Sequence, residues 1–307
     1  MNVTDFTDER CILCGGCGLD FAHALRDDEH CCAAKCRHCG HVQVAPLPTI
    51  EEDERFYQDN KMNRNLIPLA QMDEQALMMK YRPWADKQAK TVRRFVAAGA
   101  SILEIGSGYG WFAEKMRENG YQVDGIEISD DKRALASERV PGLKLMNVNL
   151  LCDELPPEAR GKYQAVCMFH LLEHLSDPVL FLSRAAEALR PGGLLLVEVP
   201  NLDCAMRGLS EPYDDFSYLR AHLSYFRPET LHRVFETAGL SEIQIIGRQL
   251  YSLENAVQWL RNGKPFLEYS QIEMPAGLEW IGDQYDRALE ESLQSDSLVA
   301  VGTKKAE

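Results

Sequence analysis

The sequence predicts an α/β protein in which a doubly wound, parallel sheet follows a small cysteine-rich segment. From residue 101 onward, short apolar runs alternate with amphipathic helical patterns, which is typical of parallel strands covered by helices on both faces. Before residue 46, the chain is rich in Cys, Gly and His and lacks the periodicity needed for a hydrophobic core. Bound metal is therefore the expected source of stability in that segment.

Length and charge exclude several classes of protein. The chain has 307 residues, of which 45% are hydrophobic and 26% charged, enough for one large or two modest domains and unlike disordered, collagenous or coiled-coil sequences. The formal net charge of −14 argues against attraction to nucleic acid or an anionic membrane. An acidic N-terminus without an apolar core, and apolar runs too short to cross a bilayer, indicate a soluble, cytoplasmic protein.

Residues 1–45 are expected to form a zinc-binding segment, because thiols stay reduced in the cytoplasm and clustered cysteines then indicate a metal. Cys11 and Cys14 precede a glycine, and so do Cys36 and Cys39, so the segment carries two C-x2-C-G knuckles. Paired knuckles predict a structural Zn²⁺ held by four thiolates in a zinc-ribbon-like domain. Other nearby residues could replace one of these ligands: Cys17, Cys31, Cys32, His38 and His41.

Residues 46–98 are polar and helix-prone and are interpreted as a helical connector to a domain that spans residues 99–307. Within that domain, residues 249–295 are interpreted as a helical insertion over one edge of the sheet. The remaining cysteines are interpreted as core residues: Cys152, Cys167 and Cys204. The predicted strands are the runs SILEI, YQVDGIEI, LKLMNVN, YQAVCMF, GGLLLVEVP, SEIQIIG and SLVAVGTKK.

A glycine-rich turn follows the first of these strands. Gly106, Gly108 and Gly110 stand between a strand and a helix, where the backbone can approach a nucleotide-like ligand. Trp111 occupies the place of the third glycine of a dinucleotide fingerprint, which argues against NAD or FAD. Glu127 ends the next strand about 20 residues later, where its two oxygens can accept from both hydroxyls of a ribose.

The chain resembles the class I S-adenosylmethionine-dependent methyltransferases over about residues 85–303, through ILEIGSGYG, GIEIS, FHLLEHLSDP and LRPGGLLLVEVPN. The resemblance implies a Rossmann-like fold whose sheet is mostly parallel with an antiparallel last strand. It implies S-adenosyl-L-methionine as the cofactor, with Glu104 holding its amino group and Asn149, in place of the usual acid, meeting the adenine. The implied cofactor residues are Glu104, Gly106, Ser107, Gly108, Gly110, Glu127, Ile128, Asn149, Leu150 and His170.

A methyltransferase must align a nucleophile with an activated methyl group and, for a hydroxyl or an acidic carbon, remove a proton. Glu173 and His174, after the fourth strand, are candidates for this chemistry, although they could equally cap and orient their loop. His222, together with Tyr225 in RAHLSYF, is interpreted as the base or a substrate contact, with a packing role for the histidine as the alternative.

The whole chain is further similar to a bacterial subgroup in which a zinc-binding segment precedes the methyltransferase domain, including sugar C-methyltransferases that act on nucleotide-linked deoxysugars. The matching segments are CRHCGHVQVAPLPTIEEDERFY, HLSYF and SDSLVAVGTKK. Ala221 stands where those enzymes commonly have an acid, so the resemblance implies a sugar nucleotide or related polyhydroxylated acceptor without fixing the atom methylated. Arg220 and Arg227 are candidate contacts for the acceptor's phosphates.

Two other functions compete with methylation of a nucleotide-linked sugar or surface-glycan precursor. An RNA methyltransferase could bind RNA through its zinc segment. However, residues 1–45 contain four basic and seven acidic residues, which argues against nucleic-acid binding by this segment. A noncatalytic scaffold could use zinc for protein contacts. The presence of Glu104, the three glycines and Glu127 argues against a scaffold.

Overall fold

The structure, a computed structural model, describes residues 6–49, 74–265 and 277–305. The strands are β1 (Phe6–Arg10), β2 (Cys17–Ala24), β3 (Cys32–Cys36), β4 (Val42–Ala45), β5 (Ser101–Ile105), β6 (Gln122–Ile126), β7 (Lys144–Met146), β8 (Tyr163–Phe169), β9 (Leu189–Pro200), β10 (Ser224–Tyr225), β11 (Leu240–Arg248) and β12 (Ser297–Lys304). They form a smaller sheet at the N-terminal segment and a larger sheet that carries the glycine turn.

The helices cover the larger sheet. They are α1 (Glu74–Phe95), α2 (Trp111–Glu118), α3 (Asp130–Arg139), α4 (Pro178–Glu187), α5 (Glu211–Ser217), α6 (Pro228–Thr237), α7 (Leu253–Asn262) and α8 (Glu279–Glu291), with 3-10 turns at Pro157–Ala159 and Leu172–His174. Among the residues described, no helix is apolar over a length that could cross a membrane. Asp177 caps α4, because its carboxylate accepts a hydrogen bond from the Leu180 amide at 2.9 Å.

The larger sheet has the strand order β11-β12-β9-β8-β5-β6-β7. The five strands from β9 to β7 pair in parallel, whereas β12 pairs antiparallel with both β9 and β11. This arrangement confirms the Rossmann-like, mostly parallel sheet with an antiparallel last strand. The carboxyl ends of the parallel strands meet at one edge, so the loops after β5, β6 and β8 lie together.

The smaller sheet is antiparallel and has the order β1-β2-β3-β4-β10. Its last strand, β10, comes from the far end of the chain and pairs with β4, with Ser224 opposite Gln43 and Tyr225 opposite Val42. The N-terminal segment alone therefore does not complete this sheet. The HLSYF run, which the sequence presented as a motif of the larger domain, supplies the missing strand.

Backbone hydrogen bonds and apolar contacts join the smaller sheet to the loop before β10. The amide of Val44 donates to the Leu223 carbonyl at 3.0 Å, and the amide of Arg26 donates to the Tyr218 carbonyl at 2.9 Å. A buried apolar cluster spans both regions and consists of Leu25, Ala33, Val42, Val44, Leu202, Leu223 and Tyr225. The loop that carries His222 is therefore held in part by the N-terminal segment.

Two predicted segments extend beyond the described residues. Of the connector assigned to residues 46–98, α1 is helical, and residues 50–73 lie outside the described residues. Of the insertion assigned to residues 249–295, α7 and α8 are helical, and residues 266–276 lie outside the described residues. The extents of these two segments stay predictions.

The core lies on both faces of the larger sheet. Ile102 and Leu103 are consecutive in β5 and enter separate apolar clusters, as the alternation of side chains in a strand requires. Cys167 and Cys204 are buried, in agreement with the packing role expected of them. The same expectation was wrong for Cys152, which is exposed because it lies in the turn after β7 rather than on a strand.

Candidate functional site

The turn after β5 exposes backbone rather than side chains. Gly106, Gly108 and Gly110 have φ angles of 78°, 52° and 78°, in the left-handed region that glycine tolerates best. A Cβ atom on Gly106 would lie 3.2 Å from Cδ2 of Leu171, whereas one on Gly108 would meet no atom within 4 Å. The turn therefore leaves room above Gly108 for a ligand.

Two buried carboxylates face this turn. Glu127 is only 6% exposed, and its Oε2 accepts from the Gly108 amide at 2.8 Å while Oε1 accepts from the Ser129 amide at 2.9 Å. Glu104 is also buried, and its Oε2 has no hydrogen-bond partner among the described residues. Burial and the charge of Glu127 raise the pKa of Glu104 well above its usual range. Glu104 thus offers an acceptor that a cationic group would satisfy.

The other predicted cofactor residues have different surroundings. Ser107 is buried and its hydroxyl donates to the Glu104 carbonyl at 3.2 Å, so it stabilises the turn. Ile128 is 60% exposed, and Leu150 is 1% exposed and belongs to the core. The Asn149 side-chain carbonyl accepts from the Leu151 amide at 3.1 Å. Of these four residues, only Ile128 and Asn149 present side chains that are not fully buried.

His170 joins this turn to the next set of charges. Its φ angle is 51°, a left-handed conformation that is uncommon for a residue with a side chain. Nδ1 lies 3.5 Å from Glu173 Oε1, and Nε2 lies 3.4 Å from Glu198 Oε1. Although burial favours the neutral ring, these two carboxylates raise the pKa of His170 to about 10. His170, whose side chain is 24% exposed, is therefore a partly buried cation at neutral pH.

The structure brings three of the four predicted catalytic residues together. The ligand atoms of Glu173, His174 and His222 lie within 4.8 Å of one another. Despite burial, His170 and the other histidines lower the pKa of Glu173 to about 2, so its carboxyl group is ionised. Burial and His174 lower the pKa of His222 to about 3, so this imidazole is neutral and a weaker base than a free one.

Tyr225 lies beside His222 but has a different role. Their ring centroids are 6.1 Å apart, and the Tyr225 hydroxyl donates to the Leu219 carbonyl at 2.8 Å while accepting from the Leu219 amide at 3.0 Å. The side chain is 5% exposed. Its single O–H donor is therefore used to fix the loop that carries His222, and the interpretation of Tyr225 as part of the catalytic or substrate-binding site stays a prediction.

Residues 78–245, more than half of the chain, match the methyltransferase domain family. The chain belongs to this family. It thus carries a domain of the S-adenosylmethionine-dependent methyltransferase class, as the motifs around Glu104 and Glu127 implied.

Relatives of this methyltransferase domain match only part of the chain. The probable S-adenosylmethionine-dependent methyltransferase of Mycolicibacterium smegmatis is 31% identical over 151 residues, which cover 49% of this chain and 55% of that protein. The ubiquinone biosynthesis O-methyltransferase of Idiomarina loihiensis is 26% identical over 161 residues, which cover 48% of this chain and 65% of that protein. The chain therefore spans less than two thirds of the length of either relative.

Solved structures share the fold of this methyltransferase domain. An S-adenosylmethionine-dependent methyltransferase from Thermotoga maritima has a TM-score of 0.51 and 19% identity, over 82% of this chain and 98% of that one. Phosphoethanolamine N-methyltransferase 2 of Haemonchus contortus, in complex with S-adenosyl-L-methionine, has a TM-score of 0.51 and 18% identity, over 79% of this chain and 60% of that one. At these identities the similarity establishes the fold alone.

Sequence reasoning missed a buried ion pair below His170. Glu198 in β9 and Arg248 at the end of β11 are almost completely buried, and Arg248 Nη1 lies 2.7 Å from Glu198 Oε2. Glu173, His170, Glu198 and Arg248 thus form an alternating series of charges. The sequence feature that could have indicated this ion pair is Glu198 within the apolar run LLLVEVP, because an unpaired charge in a buried strand is energetically costly.

Aromatic rings missed by the sequence reasoning surround the same edge. Trp84 of α1 lies 5.9 Å from His170 and 6.1 Å from Tyr251, measured between ring centroids. Tyr81 of the same helix lies 5.9 Å from Tyr109 in the glycine turn. No motif marked these residues, because α1, the turn and Tyr251 are far apart in the sequence.

The two predicted phosphate contacts are engaged within the protein. Arg220 is 5% exposed; its amide donates to Asp27 Oδ1 at 2.8 Å and its Nε lies 3.7 Å from Asp28 Oδ2. Arg227 Nη2 lies 3.3 Å from Asp203 Oδ1. Arg220 therefore ties its loop to the N-terminal segment, and its interpretation as a contact for acceptor phosphates stays a prediction.

The four cysteines of the knuckles converge in the smaller sheet. Their sulfurs all lie within 4.8 Å of one another, with 3.6 Å between Cys11 and Cys39 and 3.7 Å between Cys14 and Cys36. Four sulfurs about 2.3 Å from one Zn²⁺ in a tetrahedron would be about 3.8 Å apart, so the donor set fits this ion. The alternative ligands are not part of this cluster: Cys17, Cys31, Cys32, His38 and His41.

Both knuckles have the same backbone conformation. Gly15 and Gly40 have φ angles of 70° and 74°, and their amides donate to the carbonyls of Cys11 and Cys36 at 2.8 and 3.0 Å. In the second knuckle, the His38 amide donates to Cys36 Sγ at 3.3 Å. An N–H group directed at sulfur favours a thiolate, which is the form that binds metal.

Proposed function

We propose that the protein is an S-adenosylmethionine-dependent methyltransferase that acts on a small hydroxylated acceptor. The observation that carries the proposal is the glycine turn bounded by two buried carboxylates, one of which, Glu104, has an unpartnered oxygen. S-adenosylmethionine would supply a methyl group already activated on a sulfonium sulfur. Glu104 would hold its ammonium group, and the backbone of Gly106–Gly110 would pass beneath its methionine part.

Glu127 would contribute in two ways. Its carboxylate has about four acceptor sites, of which the Gly108 and Ser129 amides occupy two. The remaining sites can accept from ribose hydroxyls without releasing the turn. Ile128 and Asn149, which are less buried than Leu150, would flank the adenine.

The acceptor would bind beside His170, at the cluster of Glu173, His174 and His222. A hydroxyl there must lose its proton as it accepts the methyl group, and the cluster supplies the nearby basic groups. The relative from Idiomarina loihiensis bears the name of an O-methyltransferase, which favours oxygen as the acceptor atom. A nucleotide-linked sugar or surface-glycan precursor is the acceptor that the sequence resemblance favours, and the aromatic rings of Trp84 and Tyr251 would pack against it.

The four cysteines would hold a structural Zn²⁺. Their sulfur separations match a four-thiolate tetrahedron, which leaves no position for substrate. Such an ion typically contributes on the order of 10 kcal/mol to folding. Because β4 pairs with β10, this ion would also stabilise the loop that carries His222.

Calorimetry with S-adenosylmethionine and a turnover assay test the methyltransferase proposal. The protein should bind S-adenosylmethionine and convert it to S-adenosylhomocysteine in the presence of a hydroxylated acceptor from a panel of nucleotide sugars and catechols. His222→Ala should reduce turnover by about 10²-fold or more with little change in cofactor affinity. His232→Ala removes an exposed histidine of α6 and is the matched control. Absence of S-adenosylmethionine binding would reject the enzyme proposal, and tight, salt-sensitive RNA binding would favour an RNA acceptor.

Metal analysis tests the zinc proposal separately. Purified protein should contain zinc, and Cys36→Ser should lose it together with solubility or thermal stability. Cys17→Ser is the control, because Cys17 is exposed and lies outside the cluster. Full zinc content and an unchanged melting temperature in Cys36→Ser would contradict the proposed site.

A further inference from the structure

Glu173, His174 and His222 form a second cluster of metal-ligating atoms, separate from the four cysteines. Glu173 and His174 belong to the 3-10 turn after β8, and His222 belongs to the loop before β10. Two imidazoles and one carboxylate form a donor set that binds zinc and related divalent metals at sites with open coordination positions. We propose that this cluster binds a divalent transition-metal cation of the Zn²⁺ type, which contacts the acceptor oxygen.

His174 is oriented as a metal-bound histidine would be. Its Nδ1 lies 2.6 Å from the backbone oxygen of Ala221, and a carbonyl oxygen can only accept a hydrogen bond. In the neutral ring Nδ1 therefore carries the proton, and Nε2 keeps a lone pair 3.8 Å from Glu173 Oε1. Metal-bound histidines commonly donate their other ring N–H to a carbonyl, which fixes both tautomer and orientation.

Glu173 supplies an independent observation. The residue is 1% exposed, yet neither of its carboxylate oxygens has a hydrogen-bond partner among the described residues. Its contacts with His170 and His174, at 3.5 and 3.8 Å, are too long for good hydrogen bonds. Buried carboxylates are rarely left in this state because desolvation is costly. A cation bound to Glu173 would give one of these two oxygens a close partner, in addition to the more distant charge of His170.

The cluster would have to contract around an ion, because its ligand atoms are only known to lie within 4.8 Å of one another. Nitrogen and oxygen ligands about 2.0–2.2 Å from a metal in a tetrahedron are about 3.4 Å apart. The 3.8 Å between His174 Nε2 and Glu173 Oε1 exceeds that value by a few tenths of an ångström. His174 and His222 are partly exposed, so small side-chain rotations can close the difference and an ion can reach the site from solvent.

The inference rests on the proposed methyltransferase function and narrows the class of acceptor. Three protein ligands leave at least one coordination position open, and a five- or six-coordinate ion leaves two or more. An acceptor with two adjacent oxygens, as in a vicinal diol or a catechol, fills two such positions. A bound cation also lowers the pKa of a coordinated hydroxyl, so its proton can leave to solvent as the oxygen accepts the methyl group.

Calorimetric titration with Co²⁺ tests the site in the full chain. The protein is first dialysed against a weak chelator that leaves a four-thiolate site loaded, and its zinc content is measured. Wild type and His232→Ala should then bind one Co²⁺, with a visible spectrum that lacks sulfur-to-metal charge-transfer bands. His174→Ala and His222→Ala should weaken binding by more than the roughly 10- to 100-fold that loss of a supporting residue causes. Glu173→Gln, which preserves side-chain size, should weaken it as well.

Circular dichroism and S-adenosylmethionine titration on the same samples make the outcomes separable. Failure of wild type to bind Co²⁺, or equal binding by wild type and by correctly folded His174→Ala and His222→Ala, would overturn the cation site. If S-adenosylmethionine still binds in that case, the methyltransferase proposal stands. With Zn²⁺ added, a vicinal diol or a catechol should be methylated at least about tenfold faster than its own mono-ether. Whichever of the diol and the catechol is methylated faster identifies the class of acceptor. Equal rates for diol, catechol and mono-ethers would refute the chelated acceptor.

Discussion

Replacement of Glu127 by alanine should weaken both the fold and the cofactor site. The substitution removes the acceptor of two amide hydrogen bonds, from Gly108 at 2.8 Å and Ser129 at 2.9 Å. A hydrogen bond to a charged group contributes about 1.5–3 kcal/mol, but water can replace part of both at this edge of the sheet. We therefore expect the free energy of unfolding to fall by about 2 kcal/mol.

The same change should raise the dissociation constant of S-adenosylmethionine by at least about tenfold, which corresponds to about 1.4 kcal/mol. The loss has two sources, because the ribose loses an acceptor and the Gly108 turn loses its attachment. Glu127→Gln keeps one oxygen but places an NH₂ group against the other amide, so its effects should be intermediate.

Urea denaturation and isothermal titration calorimetry measure the two effects. Glu138→Ala removes an exposed carboxylate from α3 and is the matched control, expected to change neither quantity. A Glu127→Ala protein that binds S-adenosylmethionine within twofold of wild type would refute the cofactor role of Glu127. An unchanged free energy of unfolding would refute its role in holding the turn.

Two further predictions follow from the same edge of the sheet. Burial and the charge of Glu127 raise the pKa of Glu104, and a cationic ligand favours its ionised form. Ligand binding should therefore release up to one proton at pH values near the raised pKa, and affinity should rise with pH in that range. Calorimetry in buffers of different ionisation enthalpy measures this release, and its absence at every pH tested would contradict contact with an ammonium group. Gly125→Ala should destabilise the protein by about 1–3 kcal/mol, because the new Cβ would clash with Ser107 Oγ and lie 2.7 Å from Leu145 Cδ2. The control is Gly282→Ala, in a helix with no atom within 4 Å of the new Cβ, which should stabilise the protein by about 0.5–1 kcal/mol. Thermal denaturation compares the two variants, and equal effects on the melting temperature would refute the close packing at Gly125.

The larger sheet and the glycine turn could be predicted because their signals are local. An apolar run, three glycines and a carboxylate at the end of the next strand lie close together in the chain, and backbone stereochemistry relates them directly to a strand-turn-helix unit. The knuckles are equally local. Their two halves converge because β2 and β3 pair, and the gap between the knuckles is short enough to place that pairing.

Residues of the loop before β10 were harder to interpret, because their surroundings come from distant parts of the chain. Tyr225 looks like a polar residue beside a catalytic histidine, yet its hydroxyl bonds to Leu219 and its strand pairs with β4. Arg220 looks like a free cation, yet it is buried near Asp27 and Asp28. Pairing across such a distance leaves no periodicity in the sequence, so the role of these side chains emerges only from the fold.

For the charged residues next to His170, the sequence indicated one member of the group but not its partners. Glu198 was visible as an acid in an apolar strand, but its partners were not, because His170 follows β8 and Arg248 ends β11, both far from Glu198 in the sequence. A charged residue in a buried strand predicts that a partner of opposite charge exists, but the sequence does not identify that partner.

The strand pairing of β4 with β10 has a consequence for the order of events during synthesis. The cysteine knuckles leave the ribosome early, but the sheet that contains them is completed only when Ser224 and Tyr225 emerge, after β5 to β9 have been made. Until then, β4 presents an unpaired edge, which in a nascent chain is a site for wrong pairing or aggregation. Early metal loading would hold the two knuckles together during translation, although the edge of β4 stays unpaired until β10 is made. A shortage of zinc would then appear first as a lower yield of folded protein rather than as a slower enzyme.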